Sequence, residues 1–173
     1  MVRNVEESLD NVLPDAKARI PDYAARDKDS FLGYLKDYQC LLMHLSEGVD
    51  ASARQHFLDL EINPNVWAIA ASLTGIHCNA LTRQDFDRLA SVGGGMVWSP
   101  LSNLMLYGQT ADIKAAREAG VRIGLGSDWS PSGSRNLLHE LKVARLVNVA
   151  QGLGFSNRDI LAMATIVAAG LCR

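Results

Sequence analysis

The chain has 173 residues, of which 48% are hydrophobic and 21% charged, the balance of an ordinary globular domain with one sizeable core. Its formal net charge of −2 argues against a nucleic-acid or anionic-membrane surface, since both require a concentrated basic patch. No stretch reaches the ~18 consecutive apolar residues that a membrane span needs. The three cysteines form no CxxC motif, which predicts reduced thiols and a cytoplasmic location.

The first 38 residues carry helical patterns that are interrupted at Pro14 and Pro21. The hydrophobic residues of the first pattern are Val5, Leu9, Val12 and Leu13, and those of the second are Phe31, Leu32, Leu35 and Tyr38. Residues 39–43 predict a short buried strand, with His44 directly at its end. A helix is expected over residues 50–60, and residues 66–71 fit either a helix end or a short strand.

The remaining chain alternates strand and helix. In order, the sequence predicts a strand that ends at His77, a helix over 82–92, a strand over 96–99, a loop over 100–108, a helix over 110–119, a strand over 121–125, and helices over 135–151 and 156–169. Such alternation is typical of parallel strands joined by crossover helices. An open doubly wound sheet and part of a (β/α)₈ barrel both fit, and the barrel is favoured because no GxGxxG motif follows a strand.

Three of the four predicted strands are followed by a side chain that can bind a metal: His44, His77 and Asp128. Parallel strands bring these ends to one face, where the side chains can converge. Two imidazoles and a carboxylate suit Zn²⁺, Fe²⁺ or Mn²⁺, each of which can activate a water molecule. The alternative is that each histidine is merely packed and that Asp128 caps the following helix.

Two neighbouring residues extend this hypothesis. Glu47 lies three positions beyond His44, close enough to act as a proton shuttle toward a substrate. Trp129 follows Asp128 directly and is a candidate for a pocket wall. The other two histidines, His56 and His139, fall within predicted helices and are expected to be surface residues.

Four motifs in this order resemble the second half of a metal-dependent amidohydrolase, in the branch of cytosine deaminases and triazine chlorohydrolases. They are His44-Leu45-Ser46-Glu47, His77-Cys78-Asn79, Ser99-Pro100-Leu101-Ser102-Asn103 and Gly126-Ser127-Asp128. The resemblance implies about strands 5 to 8 of a TIM-type (β/α)₈ barrel, with one divalent ion, zinc first and iron second. It implies His44 as a metal ligand, His77 as a contact of the metal or the hydrolytic water, and Asp128 as a ligand and general base.

The same resemblance implies that Glu47 protonates a ring nitrogen and that Ser102 and Asn103 lie in a loop that lines the substrate pocket. The expected activity is hydrolysis of a C–N or C–Cl bond on a small nitrogen heterocycle by metal-activated water. The alternative is a non-enzymatic half-barrel or an α/β binding module in which His44, His77 and Asp128 are remnants or caps.

The chain departs from this family in one respect that bears on activity. The family's first strand supplies a His-x-His pair to the metal, and this sequence contains none. We therefore expect residues 1–173 to be a partial barrel domain that lacks the N-terminal strands and the C-terminal small β domain, with impaired activity. Open strand edges would favour association with a second copy. The expected partner is otherwise a small molecule, with no nucleic acid and no membrane.

Overall fold

The computed structural model describes residues 2–4, 28–129 and 131–172. The predicted pattern of Val5, Leu9, Val12 and Leu13 lies outside these residues. The strands are β1 (Val2–Asn4), β2 (Cys40–Leu45), β3 (Glu61–Asn63), β4 (Val66–Trp67), β5 (Leu73–His77), β6 (Gly95–Trp98) and β7 (Arg122–Leu125). The helices are α1 (Lys28–Asp37), α2 (Ala51–Leu58), α3 (Arg83–Ser91), α4 (Pro100–Tyr107), α5 (Ile113–Ala119), α6 (Leu137–Gln151), α7 (Asn157–Met163) and α8 (Ile166–Leu171).

Five of the strands form one parallel sheet in the order β1-β2-β5-β6-β7. The register aligns Leu45 with His77 and Trp98 with Leu125, so the carboxyl ends of the strands meet at one edge. This confirms the predicted parallel α/β architecture. The sheet has one strand more than the four predicted, because β1 is only three residues long and too short to leave a periodic signal. Strands β3 and β4 form a separate antiparallel pair.

The core lies between the sheet and its crossover helices. Strand β2 is almost continuously apolar, as expected for a strand covered on both faces. The largest side chains that are fully buried are Trp98, Phe31, Phe57, Phe86, Leu35, Leu41, Met43, Leu45, Leu60, Leu73 and Leu89. All but Leu60, which lies between α2 and β3, come from β2, β5 and β6 and from α1, α2 and α3. Burial of this apolar surface is the main favourable contribution to folding.

Two predicted elements are wrong in the structure. The segment predicted as a loop over 100–108 is helix α4: Pro100 occupies its first turn, where a missing N–H costs nothing, and Gly108 ends it with a φ of 70°. The Ser, Pro and Asn residues that suggested a loop are instead the start of this helix. The single helix predicted over 156–169 is two helices, α7 and α8, separated at Ala164 and Thr165.

Among the helices in the described part of the chain, none is long and apolar enough to cross a membrane.

Helices α2 and α3 are joined by an ion pair around Asp85, a side chain with no exposed surface. Arg54 Nε and Nη2 donate to its two oxygens over 2.8 and 3.1 Å. The Thr82 N–H and hydroxyl donate to the same carboxylate over 2.9 and 2.7 Å, which completes a capping box at the start of α3. Burial by itself would raise the pKa of Asp85, but the hydrogen bonds from Arg54 and Thr82 outweigh it and hold this pKa below its usual value.

We expect Asp85→Asn to lower the free energy of unfolding at pH 7 by about 1–3 kcal/mol, because charge-assisted hydrogen bonds are lost in a buried position. Since the pKa of Asp85 is depressed in the folded state, its contribution is present above the unfolded pKa and disappears as pH falls through the folded one. Urea unfolding at pH 7 and at low pH measures both effects. Asp87→Asn, which removes the exposed partner of Arg83, is the control. Equal losses in the two variants would contradict the assignment.

Candidate metal and catalytic site

The three predicted metal-binding residues lie at the carboxyl edge of the sheet. His44 is the penultimate residue of β2 and His77 the last residue of β5, while Asp128 follows the end of β7 by three positions. The two imidazole centroids are 5.1 Å apart, with their planes tilted by 35°. The parallel register places the two histidines one position apart on adjacent strands, because it aligns His44 with Ile76 and Leu45 with His77.

The backbone at His77 is strained. Its φ is +69°, and Cys78 follows with +54°, in the left-handed region that side chains with a Cβ rarely adopt. The Cys78 N–H donates to the carbonyls of Ile76 and Leu45, over 3.0 Å in each case. The bond to Ile76 closes a γ-turn around His77, whose positive-φ form is uncommon. Strain of this kind costs roughly 1–3 kcal/mol per residue and is concentrated at functional sites.

The fully buried imidazole of His77 faces two carboxylates. Its Nε2 lies 3.7 Å from Glu47 Oε1 and 3.8 Å from Asp128 Oδ2, beyond direct hydrogen bonds, and it has no hydrogen-bond partner among the described residues. Burial lowers the pKa of His77, and the neighbouring His44 lowers it further, whereas Glu47 and Asp128 act in the opposite direction. Burial prevails, so the ring is neutral at physiological pH.

Both carboxylates are held in place by residues of helix α4. The Ser102 hydroxyl donates to Asp128 Oδ2 over 2.5 Å, and the Tyr107 hydroxyl donates to Glu47 Oε1 over 2.9 Å. The backbone N–H of Trp129 also donates to Asp128, over 2.8 Å. The side chain of Trp129 is 71% exposed, so its role as a pocket wall stays a prediction.

A buried chain of hydrogen bonds leads from the core to His77. The indole N–H of Trp98 donates to the Thr110 hydroxyl over 2.6 Å, and this hydroxyl donates to Asn103 Oδ1 over 3.2 Å. Asn103 therefore presents its Nδ2 group to His77 Nδ1, at 2.8 Å. Because an amide nitrogen can only donate, Nδ1 accepts and the proton of the neutral ring resides on Nε2, toward the two carboxylates.

Sequence reasoning placed Ser102 and Asn103 at the site but missed three residues that organise it. Tyr107 lies within the segment predicted as a loop, and Thr110 lies just after it. Their positions in the sequence therefore gave no indication that they contact the site. The third is Glu140, which is fully buried and accepts a hydrogen bond from the Leu101 N–H over 3.0 Å, near the start of α4. The one indication of its role in the sequence is that it is an acidic residue within an apolar stretch of a predicted helix.

The donors present fit a divalent metal. His44, Glu47 and His77 offer ligand atoms that all lie within 4.8 Å of one another, a group that contains Glu47 in place of the predicted Asp128. Imidazole and carboxylate ligands suit zinc and iron equally.

No family model matches the chain. Among curated proteins, a 5-methylthioadenosine/S-adenosylhomocysteine deaminase of Desulforudis audaxviator is 37% identical over 78 residues, 44% of this chain and 18% of the relative. The enzyme of the same name from Symbiobacterium thermophilum is 30% identical over 144 residues, 73% of this chain and 31% of the relative. The chain thus spans only a minor part of the length of the relatives it matches.

Solved structures of similar enzymes share the fold of this chain. Escherichia coli guanine deaminase superposes with a TM-score of 0.73 at 23% identity, over 90% of this chain and 38% of its own. The zinc complex of atrazine chlorohydrolase TrzN from Arthrobacter aurescens superposes with a TM-score of 0.69 at 22% identity, over 88% of this chain and 35% of its own. The five-stranded sheet therefore corresponds to part of a TIM-type barrel.

The Tyr107 phenol provides a test of the Glu47 contact. Burial, together with the hydrogen bond and the negative charge of Glu47, raises the pKa of Tyr107 to about 12. We expect one tyrosine to ionise near pH 12 in the wild type and to be missing in Tyr107→Phe, as measured by the difference in tyrosinate absorbance at high pH. Because the folded pKa is raised, the contribution of Tyr107 to stability is complete below the unfolded value of about 10 and is lost as pH rises through 12. Ionisation of Tyr107 near pH 10 would exclude the contact.

The orientation of Asn103 predicts which ring nitrogen of His77 carries the proton. In the wild type we expect Nε2–H, and Asn103→Asp should move the proton to Nδ1, because a carboxylate can only accept. The nitrogen chemical shifts of the His77 ring distinguish the two tautomers. Asn65→Asp introduces the same charge at an exposed site and should leave the tautomer unchanged. A wild-type ring with Nδ1–H would refute the hydrogen-bond chain.

Proposed function

Because the chain belongs to the amidohydrolase superfamily, we propose that it forms the catalytic half of a metal-dependent hydrolase that acts on a small nitrogen heterocycle. The observation that carries the proposal is the meeting of His44, His77, Glu47 and Asp128 at one edge of the sheet, with His77 Nε2 3.7 and 3.8 Å from the two carboxylates. Relatives named as deaminases of methylthioadenosine, S-adenosylhomocysteine and guanine support an aminated, purine-like ring as the substrate and ammonia as the leaving group.

His44 and Asp128 are the proposed metal ligands, with Glu47 within reach of the same ion. A divalent cation bound there would supply Lewis acidity that makes water nucleophilic near neutral pH. Zinc is the first candidate, because a similar chlorohydrolase structure is a zinc complex, and iron is the second. The proton on Nε2 favours a catalytic role for His77 over its predicted role as a ligand, because a metal would need the lone pair of that nitrogen.

Three of these side chains then act directly on the water and the substrate. His77 Nε2–H orients the attacking water, and Asp128 accepts its proton as the bond to the ring carbon forms. Glu47, in its protonated form, gives its proton to the adjacent ring nitrogen, and the proton on Asp128 passes to the amine as the C–N bond breaks. The remaining hydroxyl proton of the added water returns to Glu47 as the carbonyl forms. Ser102 and Tyr107 keep the two carboxylates in position for these transfers, and Ser102, Asn103 and Trp129 contribute to the substrate pocket.

We further propose that residues 1–173 act as a partial barrel domain in the cytoplasm. Strands β1 and β7 are the outer strands of the sheet, and each has one edge that pairs with no other strand among the described residues. A second copy could cover these edges. A non-enzymatic binding module is the second candidate, and one observation favours it: the sequence contains no His-x-His pair to complete the metal site.

Zinc binding and ammonia release test the assignment together. We expect His44→Ala and Asp128→Asn to weaken zinc binding at least about tenfold, while His77→Gln and Glu47→Gln retain zinc but lower the rate of ammonia release by about 10² or more. Zinc affinity is measured against a competing chelator, and ammonia release with 5′-deoxyadenosine and guanine as substrates. His56→Ala, in helix α2, is the matched histidine control.

Each result has a defined meaning. Loss of zinc in His77→Gln would make His77 a ligand and overturn its catalytic assignment. Zinc binding that is unchanged in His44→Ala and Asp128→Asn would refute the shared site. Zinc binding by the wild type without release of ammonia from either substrate would contradict the hydrolase and favour the binding module.

A further inference from the structure

A cavity of about 270 Å³ lies outside the site described above. It is lined by Asn65 and Trp67 from the β3–β4 pair and its turn, by Ile69, and by Arg88, Ser91 and Val92 from the end of helix α3. Helix α3 begins after the carboxyl end of β5 and ends before the amino end of β6. The cavity therefore lies toward the amino edge of the sheet, opposite the edge that carries His77.

The most unusual feature of the cavity is its stacked arginine. The guanidinium carbon of Arg88 lies 4.0 Å from the centre of the Trp67 ring, and Trp67 is in turn stacked on the buried Phe57, with centroids 5.4 Å apart. When a guanidinium stacks over an aromatic ring, its N–H groups point outward in the plane of the guanidinium. They can then donate to a planar acceptor such as a carboxylate. Within the described chain, no carboxylate forms an ion pair with Arg88.

The other polar groups of the cavity also favour an acceptor. No acidic residue lines it, so the charge of Arg88 is not balanced from within the cavity. The indole N–H of Trp67 is buried and has no hydrogen-bond partner among the described residues. The Ser91 hydroxyl donates to the Arg88 carbonyl over 2.7 Å, which ties the last turn of α3 together beside the cavity.

The apolar residues limit the class of ligand further. Ile69 is buried and Val92 half-buried, and with the Trp67 ring they give the cavity an apolar wall beside its single cation. We propose that this cavity binds a small organic carboxylate, with the carboxylate paired to Arg88 in bidentate fashion and the apolar part against Ile69 and Val92. An inorganic anion would satisfy Arg88 but leave the apolar wall uncovered.

Benzoate is the probe, titrated into the full chain by calorimetry and followed by the indole N–H resonance of Trp67. We expect saturable binding that Arg88→Met weakens at least about tenfold, because a charge-assisted pair is lost. Arg88→Lys keeps the charge but not the planar pair and should also weaken binding. Arg145→Met is the matched control, since Arg145 is an exposed arginine of helix α6 that does not line the cavity.

Two further ligands sharpen the test. Benzyl alcohol, which has the ring without the charge, should not bind measurably, and inorganic phosphate should bind more weakly than benzoate. The proposal is overturned if benzoate shows no saturable binding, if Arg88→Met and Arg145→Met behave alike, or if phosphate binds more tightly than benzoate. None of these variants touches the residues of the proposed metal site, so a failed hydrolase assay leaves this result independent.

Discussion

The parallel register of the sheet is the constraint on which the candidate site depends. Every strand of the main sheet runs in the same direction, so the residues that leave each strand arrive at one edge. Because Leu45 is aligned with His77, two histidines that are 33 positions apart in sequence occupy adjacent register positions, and their ring centroids are 5.1 Å apart. Successive residues of a regular strand face opposite sides of the sheet, so this contact also depends on the positive φ of His77 at the end of β5.

Helix α4 converts this proximity into a defined arrangement. Three of its residues each hold a different member of the site: Ser102 holds Asp128, Asn103 holds His77, and Tyr107 holds Glu47. The start of the helix is in turn held by the buried carboxylate of Glu140. A single rigid element thus positions both carboxylates and the imidazole, and its displacement would disturb all three together.

The two edges of the sheet carry different chemical groups. The carboxyl edge brings together imidazoles and carboxylates around a strained turn, a composition that favours a cation and proton transfer. Toward the amino edge, the cavity near the end of α3 offers a cation and donors without any acid, a composition that favours an anion. The crossover helices separate the two groups, so the acidic side chains and the guanidinium of Arg88 lie toward opposite edges of one small sheet.

The sequence by itself determined the class of fold and singled out candidate residues for a metal site, because strand ends and apolar runs are local features that can be recognised without knowing what they contact. Tertiary structure decided the rest. Helix α4 could not be predicted from the sequence, because its Ser, Pro and Asn residues are also typical of loops. Only the contacts with Glu140 and with the site distinguish a helix from a loop here. Strand β1 is defined by pairing with β2 and not by its own pattern. The proton on His77 depends on a chain from Trp98 through Thr110 and Asn103, contacts that no spacing in the sequence encodes.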